Sequence, residues 1–159
     1  MFKLDVVHAH CDIPCKIYDP CVAQVATMSV IRLLHLLQDV DASNSSLASL
    51  AKISRLTIEK EKEATIVKSE VLIIWGDYFK EPQINTFPNI HEIVHSIMLC
   101  ASKCKREIEA ENGLHLLKLI NEFTDIFWRT KGFNTEPVKA PYPPALGMVR
   151  PILENAEAI

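Results

Sequence analysis

The chain has 159 residues, of which 48% are hydrophobic and 23% charged, and its formal net charge is -3. This length fits one domain with a substantial core and leaves little room for a second. A mildly acidic chain with well-mixed charges argues against nucleic acid as a partner, which usually requires a basic face. No run of about 18 apolar residues is visible, so neither a transmembrane helix nor a membrane partner is expected.

Residues 1–9 read MFKLDVVHA. This stretch contains one lysine and lacks the apolar segment of about 7–15 residues that marks a secretory signal. Export by the general secretory route is therefore not expected, and we expect a cytoplasmic protein.

Residues 10–20 (HCDIPCKIYDP) concentrate reactive side chains in a segment that favours no regular structure. Pro14 removes a backbone donor and pushes Ile13 out of the α region, so the segment cannot join a helix. It is also too short and too polar for a core strand. Such a segment can curl and bring the imidazole of His10 and the thiols of Cys11 and Cys15 around one point, which indicates a metal hook.

The ligand set of this hook is compatible with zinc, copper(I) or nickel. A structural zinc site has four side-chain ligands, and a fourth is missing here. If His10 were the first residue of the mature chain, its α-amine and the deprotonated amide of Cys11 would join the thiolates of Cys11 and Cys15 in one plane. The imidazole would then be available as an axial ligand. A planar set of nitrogen and sulfur donors suits nickel(II).

Beyond the hook, apolar residues recur at helical spacing over about residues 21–40, 47–79, 90–111 and 114–131. Asp19-Pro20 favours a helix start, and Asn89 with Glu92 has the character of a capping box. Gly132 is a natural residue to follow the last helix. Four amphipathic helices with short connections predict an all-α protein, an antiparallel up-and-down four-helix bundle that follows the irregular hook.

The composition shifts in residues 133–159, which contain five of the nine prolines and no helical stripe. With no β pattern visible, we expect an extended or disordered tail. The predicted organisation is a removable leader over residues 1–9, a hook over 10–20, a bundle over 21–132 and a Pro-rich tail over 133–159.

Four motifs of this sequence resemble the nickel superoxide dismutase family. The hook has the family's His-Cys-Asp-x-x-Cys pattern, with proline before the second cysteine and Tyr-Asp-Pro after it. Residues 75–80 (WGDYFK), 87–91 (FPNIH) and 126–131 (IFWRTK) are similar to three further family segments in the same order. The resemblance runs from His10 to about Lys131.

The resemblance implies an enzyme that disproportionates superoxide into dioxygen and hydrogen peroxide, with one nickel ion per subunit cycling between Ni(II) and Ni(III). It implies a homohexamer and a processing peptidase that removes the leader before His10. The implied ligands are the α-amine and imidazole of His10, the amide and thiolate of Cys11, and the thiolate of Cys15.

The resemblance also implies roles around the metal. Asp12 would brace the hook by hydrogen bonds, and Pro14 would form a cis peptide that shapes its turn. Tyr18 and Tyr78 would line the approach to nickel. Lys80 belongs to a family motif and would attract superoxide.

Three positions depart from the family, which usually has glycine at Lys16, glutamate at Ala26 and arginine at Glu63. Groups behind metal ligands orient them and tune their basicity. The departures therefore predict a weaker axial imidazole or a compensating partner, such as Glu63 in place of the missing acid. They leave an alternative open, a helical bundle that binds nickel or copper with weak or no dismutase activity.

Overall fold

The computed structural model describes residues 16–41, 43 and 46–153. Residues 1–15 lie outside the described part, and with them the leader, His10, Cys11, Asp12, Pro14 and Cys15. Residues 42, 44–45 and 154–159 also lie outside it. The predictions for these residues stay predictions.

Four long helices form the body of the molecule. The elements in chain order are α1 (Cys21–Gln38), α2 (Leu47–Asp77), α3 (Glu81–Thr86), α4 (Ile90–Arg106), α5 (Ala110–Thr130), β1 (Thr135–Lys139) and β2 (Gly147–Pro151). Helix α1 packs against α2 and α5, and α4 packs against the same two helices, which closes a ring of four. This arrangement confirms the predicted four-helix bundle.

Helix α1 is the most apolar helix of the bundle. Its 18 residues reach a mean hydropathy of 1.3, so by length and composition it could cross a membrane, but half of it is buried inside the protein. Buried side chains such as Val30 and Leu34 face the core, and Thr27 donates a hydrogen bond to its own helix at the carbonyl of Ala23. These contacts are those of a core helix.

The junction between α4 and α5 differs from the prediction. The break lies at residues 107–109, and Gly113, expected to separate two helices, lies buried within α5. A Cβ atom at Gly113 would lie 2.8 Å from Cγ1 of Ile31 and 3.0 Å from Cδ1 of Leu34. The glycine therefore serves the close approach of α5 to α1. Asn89 does occupy the N-cap position of α4 as predicted, but its side chain makes no capping hydrogen bond, so the predicted capping box is not formed.

The end of α4 is held by a buried lysine. Lys60 of α2 is 1% exposed, and its Nζ donates to the carbonyls of Lys105 at 2.9 Å and Glu107 at 2.7 Å. These carbonyls lie at or just beyond the end of α4, where the helix leaves acceptors without intrahelical partners. Burial lowers the pKa of Lys60. Its charged neighbours Glu59, Glu61 and Lys62 are exposed, so Lys60 is the residue of this charged stretch that packs inside.

Two segments outside the four predicted helices contain secondary structure. Residues 81–86 form α3, with Pro82 in its first turn, where a missing backbone N–H costs little. The prediction of a tail without strands is wrong, because β1 and β2 pair as an antiparallel hairpin from Thr135 opposite Pro151 to Lys139 opposite Gly147. A two-stranded hairpin is marginal alone, and this one is stable because it packs on the bundle.

The hairpin is fixed to α1 and α5 by apolar and polar contacts. Met148 and Ala140 are buried against Met28, Ile31 and Leu117. Gln24, 1% exposed, donates from Nε2 to the carbonyl of Val149 at 2.9 Å and to Oδ1 of Asn121 at 3.2 Å. Asn121 also donates to the carbonyl of Gly147 at 2.9 Å and accepts from the N–H of Val149 at 3.2 Å.

Candidate metal centre

An open cleft of about 620 Å³ lies where the predicted hook joins the bundle. It is formed by the chain just before α1, the end of α2 and the end of α5. Its lining residues are Lys16, Tyr18, Asp77, Tyr78, Thr130, Lys131 and Phe133. Cys15, the predicted second thiolate ligand, is the covalent neighbour of Lys16. The described end of the predicted hook, at Lys16 and Tyr18, therefore lines this cleft.

The structure brings the two predicted tyrosines together. The rings of Tyr18 and Tyr78 have centroids 6.1 Å apart and are tilted by 50°. The hydroxyl groups of Tyr78 and Thr130 lie 2.8 Å apart, and Thr130 Oγ1 lies 2.6 Å from the carbonyl of Phe127. A carbonyl can only accept, so the single hydroxyl proton of Thr130 goes to Phe127. Tyr78 is therefore the donor to Thr130, and its oxygen keeps its lone pairs as acceptors.

A lysine that sequence reasoning left without a role forms part of the same wall. Lys131 Nζ lies 5.3 Å from the ring centroid of Tyr78 and 4.9 Å from that of Phe127. Contact with two aromatic faces holds the ammonium group beside the phenol. Thr130 and Lys131 were both missed as site residues, although they end the motif at residues 126–131 that carried part of the family resemblance.

Lys16 adopts an unusual backbone conformation at the edge of the cleft. Its φ is 60°, in the left-handed region where a side chain is strained and glycine is not. This conformation gives a physical reason for the glycine that the family resemblance led us to expect here. In this chain the same position adds a positive charge to the cleft.

Lys80, a predicted contributor to superoxide attraction, does not line the cleft. Its Nζ donates at 2.7 Å to the carbonyl of Gly76, near the end of α2. A cation at this place complements the negative end of the helix dipole. Among the described residues the cleft-lining lysines are Lys16 and Lys131.

Ala26 and Glu63 provide no acid–arginine pair at the cleft. Ala26 is buried in the core. Glu63 lies in a separate groove with Val25 and Arg32. It is 15 residues before Tyr78 along α2, about 22 Å at the rise of an α-helix. Within a single chain, Glu63 therefore lies far from the two tyrosines.

The described part of the chain offers no competing metal site. Among residues 16–41, 43 and 46–153, no three His, Cys, Asp or Glu side chains are grouped so that they could hold an ion. Cys21, Cys100 and Cys104 are free thiols. The predicted ligands His10, Cys11 and Cys15 lie outside the described residues, together with Asp12 and Pro14.

Comparisons with known proteins match the larger part of the chain. A family model described as nickel-containing superoxide dismutase matches residues 5–131. The chain is 34% identical to Superoxide dismutase [Ni] of Streptomyces seoulensis over 125 residues, which is 79% of this chain and 90% of that protein. The corresponding protein of Streptomyces coelicolor is 32% identical over 125 residues with the same coverage.

Solved structures agree with the sequence relatives. The native nickel superoxide dismutase structure at 1.30 Å matches with a TM-score of 0.68 and 31% identity, covering 77% of this chain and 99% of that chain. A nickel superoxide dismutase structure in the oxidized ligation state matches with a TM-score of 0.67 and 32% identity at the same coverage. The chain therefore belongs to the family of nickel-containing superoxide dismutases.

Proposed function

We propose that this chain disproportionates superoxide into dioxygen and hydrogen peroxide, with one nickel ion per subunit held by a hook that cleavage before His10 releases. Family membership supports the activity and the metal. The structural observation that carries the proposal is the cleft lined by Tyr18, Tyr78 and Lys131. Lys16, which directly follows Cys15 in the chain, lines the same cleft.

The donor set of the hook fits nickel. Cleavage before His10 would create an α-amine, which with the amide of Cys11 and the thiolates of Cys11 and Cys15 gives nitrogen and sulfur donors suited to nickel(II). When bound, nickel supplies one-electron steps between Ni(II) and Ni(III), which oxidise one superoxide and reduce another. Zinc has no comparable redox chemistry.

The residues of the cleft act on an anionic substrate and a neutral product. Lys16 and Lys131 carry positive charges that raise the local concentration of superoxide. The proton of Tyr78 is committed to Thr130, so the phenol oxygen is an acceptor. It therefore suits a hydrogen bond from water or from the protonated product, while the lysines suit the anion.

The remaining parts of the proposal are assembly, location and processing. The family resemblance favours a homohexamer and a dedicated peptidase for the leader, and the composition of residues 1–9 is our reason to propose a cytoplasmic location. Light scattering of the processed protein at micromolar concentration tests the assembly: a mass of six chains supports the hexamer, and a mass of one chain contradicts it.

Processing, metal content and activity are tested on one preparation. The chain is co-expressed with its peptidase in the presence of nickel, and intact mass, nickel content and superoxide decay after pulse radiolysis are measured. We expect a chain that begins at His10, about one nickel per chain, and decay approaching the diffusional limit. The matched Cys15→Ser variant is expected to be processed but to lose nickel. A chain that still begins at Met1, binds nickel and is active would contradict the proposed coordination.

A second function is favoured by the residues behind the hook. Ala26 is a buried alanine and Glu63 is remote from the cleft, so the described residues supply no acid–arginine support at the cleft. A hook without that support could bind nickel or copper with little turnover. Processed, nickel-loaded protein that removes superoxide no faster than free nickel would establish this alternative.

A further inference from the structure

Two buried thiols lie side by side in α4, outside the cleft of the candidate metal centre. Cys100 and Cys104 are four residues apart on this helix, so their side chains share one face. Cys100 is 8% exposed and Cys104 0%, and both belong to the core of the bundle. Neither lies in a motif that carried the family resemblance, and the proposed dismutation uses neither.

Cys100 is the thiol of the pair that a small molecule can reach. It lines an open pocket of about 350 Å³ between α4 and α5, whereas Cys104 does not. Lys103 and His115, which line the same pocket, are exposed, so solvent enters from their side. The pocket therefore gives water and molecules of similar size, such as hydrogen peroxide, a path to the sulfur of Cys100.

The two thiols differ in acidity because of their hydrogen bonding. A hydrogen bond from Cys104 lowers the pKa of the Cys100 thiol; burial opposes this effect, and the charge of Lys103 adds to it. The same hydrogen bond, together with burial, raises the pKa of Cys104. While protonated, Cys100 donates from Sγ to the carbonyl of Asn112, in the first turn of α5, at 3.3 Å. Cys100 is therefore the thiol that ionises first, and the thiolate is the nucleophilic form of cysteine.

The spacing of the two cysteines allows a bond between them. Residues four apart in a regular helix have Cα atoms about 6.2 Å apart, within the range of about 4.4–6.8 Å seen in disulfides. Their Cβ atoms are about 5–6 Å apart, whereas a disulfide requires about 3.5–4.5 Å. Because α4 ends at Arg106, Cys104 lies in its last turn, where a shift of about 1–2 Å disturbs few intrahelical hydrogen bonds. Such a disulfide is strained and therefore easily reduced.

We propose that Cys100 and Cys104 form a second reactive site, a dithiol that reduces hydrogen peroxide. The thiolate of Cys100 attacks one peroxide oxygen, an S–O bond forms, the O–O bond breaks, and the leaving hydroxide takes a proton from solvent to become water. Cys100 is then a sulfenic acid. The sulfur of Cys104 attacks that of Cys100, the S–S bond forms, and the S–O bond breaks, so that hydroxide leaves with the proton of Cys104 as water. Two thiols and one peroxide thus give one disulfide and two waters.

The oxidant is the product of the proposed dismutation. A chain that removes superoxide produces hydrogen peroxide itself, and the dithiol would consume part of it. This source of peroxide rests on the proposed function, whereas the reactivity of the pair does not. The tests therefore use added hydrogen peroxide and a chain without nickel.

The first test follows the pair alone in the full-length chain. The other three cysteines are replaced by Cys11→Ser, Cys15→Ser and Cys21→Ser, and the chain is treated with hydrogen peroxide. Lys103 lies between the two remaining cysteines, so trypsin separates them unless a disulfide joins them. We expect the two tryptic fragments to stay linked before reduction and to separate after it. Two free thiols after excess peroxide would overturn the proposal.

The second test assigns the two roles with single variants in the same background. In Cys104→Ala we expect Cys100 to stop at the sulfenic acid, which dimedone traps as an adduct that mass spectrometry detects. In Cys100→Ala we expect Cys104 to stay unmodified, because it is buried and its thiol is not reached from the pocket. Equal labelling of the two cysteines in these variants would overturn the assignment of Cys100 as the nucleophile.

Cys21 provides the matched control thiol. Burial and the neighbouring Asp19 raise its pKa, so at neutral pH it forms less thiolate than Cys100. A chain that keeps Cys21 as its one cysteine is expected to react with peroxide about 10-fold more slowly than the chain that keeps the pair. Equal rates would overturn the proposal. Absence of nickel or of dismutase activity in the processed protein would refute the proposed function and leave the peroxide results standing.

Discussion

The hydroxyl of Tyr78 donates a 2.8 Å hydrogen bond to the hydroxyl of Thr130, which itself donates to the carbonyl of Phe127. The two bonds form a one-way chain that ends on the α5 backbone. They fix the phenol at the cleft and commit its proton to Thr130, which leaves the phenol oxygen as an acceptor. The orientation of Tyr78 is thus set by α5, not by the helix that carries it.

Replacing Thr130 by Val removes the acceptor without a large change in volume. We expect kcat/KM for superoxide to fall about 2- to 5-fold, the size expected for one hydrogen bond. Thr130→Ser keeps the hydroxyl and is the matched control. Pulse radiolysis at constant ionic strength measures the rates. Identical rates in the Val and Ser variants would show that this bond does not position the phenol.

Replacing Lys16 by Gly separates backbone strain from charge. The left-handed φ of 60° costs a side chain about 1 kcal/mol or more, partly offset by the greater freedom of glycine in the unfolded chain. We expect Lys16→Gly to raise the free energy of unfolding by about 0.5–1 kcal/mol relative to Lys16→Ala, which keeps the strain. Urea titrations measure the difference. Both variants lose the charge, so the rate of superoxide decay at low salt should fall equally in both.

Replacement by alanine is predicted to change the stability of the fold in opposite directions at two glycines of the bundle. At Gly113 a Cβ atom would meet Ile31 at 2.8 Å, so Gly113→Ala should destabilise the fold by about 1–3 kcal/mol through overpacking. A Cβ atom added at Gly76 would point into open space, so Gly76→Ala should stabilise α2 by about 0.5–1 kcal/mol. Chemical denaturation of both variants tests this. A neutral Gly113→Ala would mean that α1 and α5 can move apart at no cost.

Because Lys60 is buried, we predict that the free energy of unfolding increases with pH just below the usual pKa of lysine. Burial lowers its pKa in the folded state below the usual value of 10.5, so just below pH 10.5 the unfolded chain binds more protons than the folded one. The free energy of unfolding contributed by this residue therefore increases as the pH rises through that window. Below the folded pKa, both states carry the proton and the full cost of burying the charge is present.

The pH effect is isolated by subtracting variants. Urea unfolding of the unmodified chain and of Lys60→Met is measured from pH 8 to 11, and the difference removes other titrating groups. We expect the unmodified chain to gain stability relative to Lys60→Met as the pH rises. Lys62→Met, at an exposed neighbour, is the control and should show no such gain. A constant difference across the range would contradict the lowered pKa.

The helices were predictable because their apolar stripes are long and regular. In α4, Ile90, Ile93 and Ile97 repeat at helical spacing and are buried as expected. The end of α4 was not predictable in the same way, because it depends on Lys60 of another helix. Gly113 was misplaced for a similar reason, since the space it leaves is filled by Ile31 only after α1 and α5 pack.

The hairpin was missed because its stability does not come from its own sequence pattern. Pro137 lies within β1 and Pro151 ends β2, and both oppose assignment to strands. What holds the strands is Met148 in an apolar pocket and the buried side chain of Gln24, which donates to the carbonyl of Val149. Contacts between segments that are more than 100 residues apart leave no local signal.

The candidate site was predictable where it follows a motif. Tyr18 and Tyr78 were paired by family resemblance, and their rings do meet. The roles of Thr130 and Lys131 depend on the relative position of α2 and α5, so the motif marked these residues without showing their purpose. Lys80 shows the opposite case, a motif residue whose charge is used at the end of α2.

Aromatic contacts connect Tyr78 to Trp128, so the intrinsic tryptophan fluorescence of the protein can report on the cleft. Phe127 touches Tyr78 with centroids 4.9 Å apart, and Trp128 touches Phe127 at 5.1 Å. Trp75, the other tryptophan, lies near the end of α2 and is engaged with His91 of α4. In a Trp75→Phe background, the emission of Trp128 would report on ligands that enter the cleft, so anion binding could be followed by fluorescence without an external label.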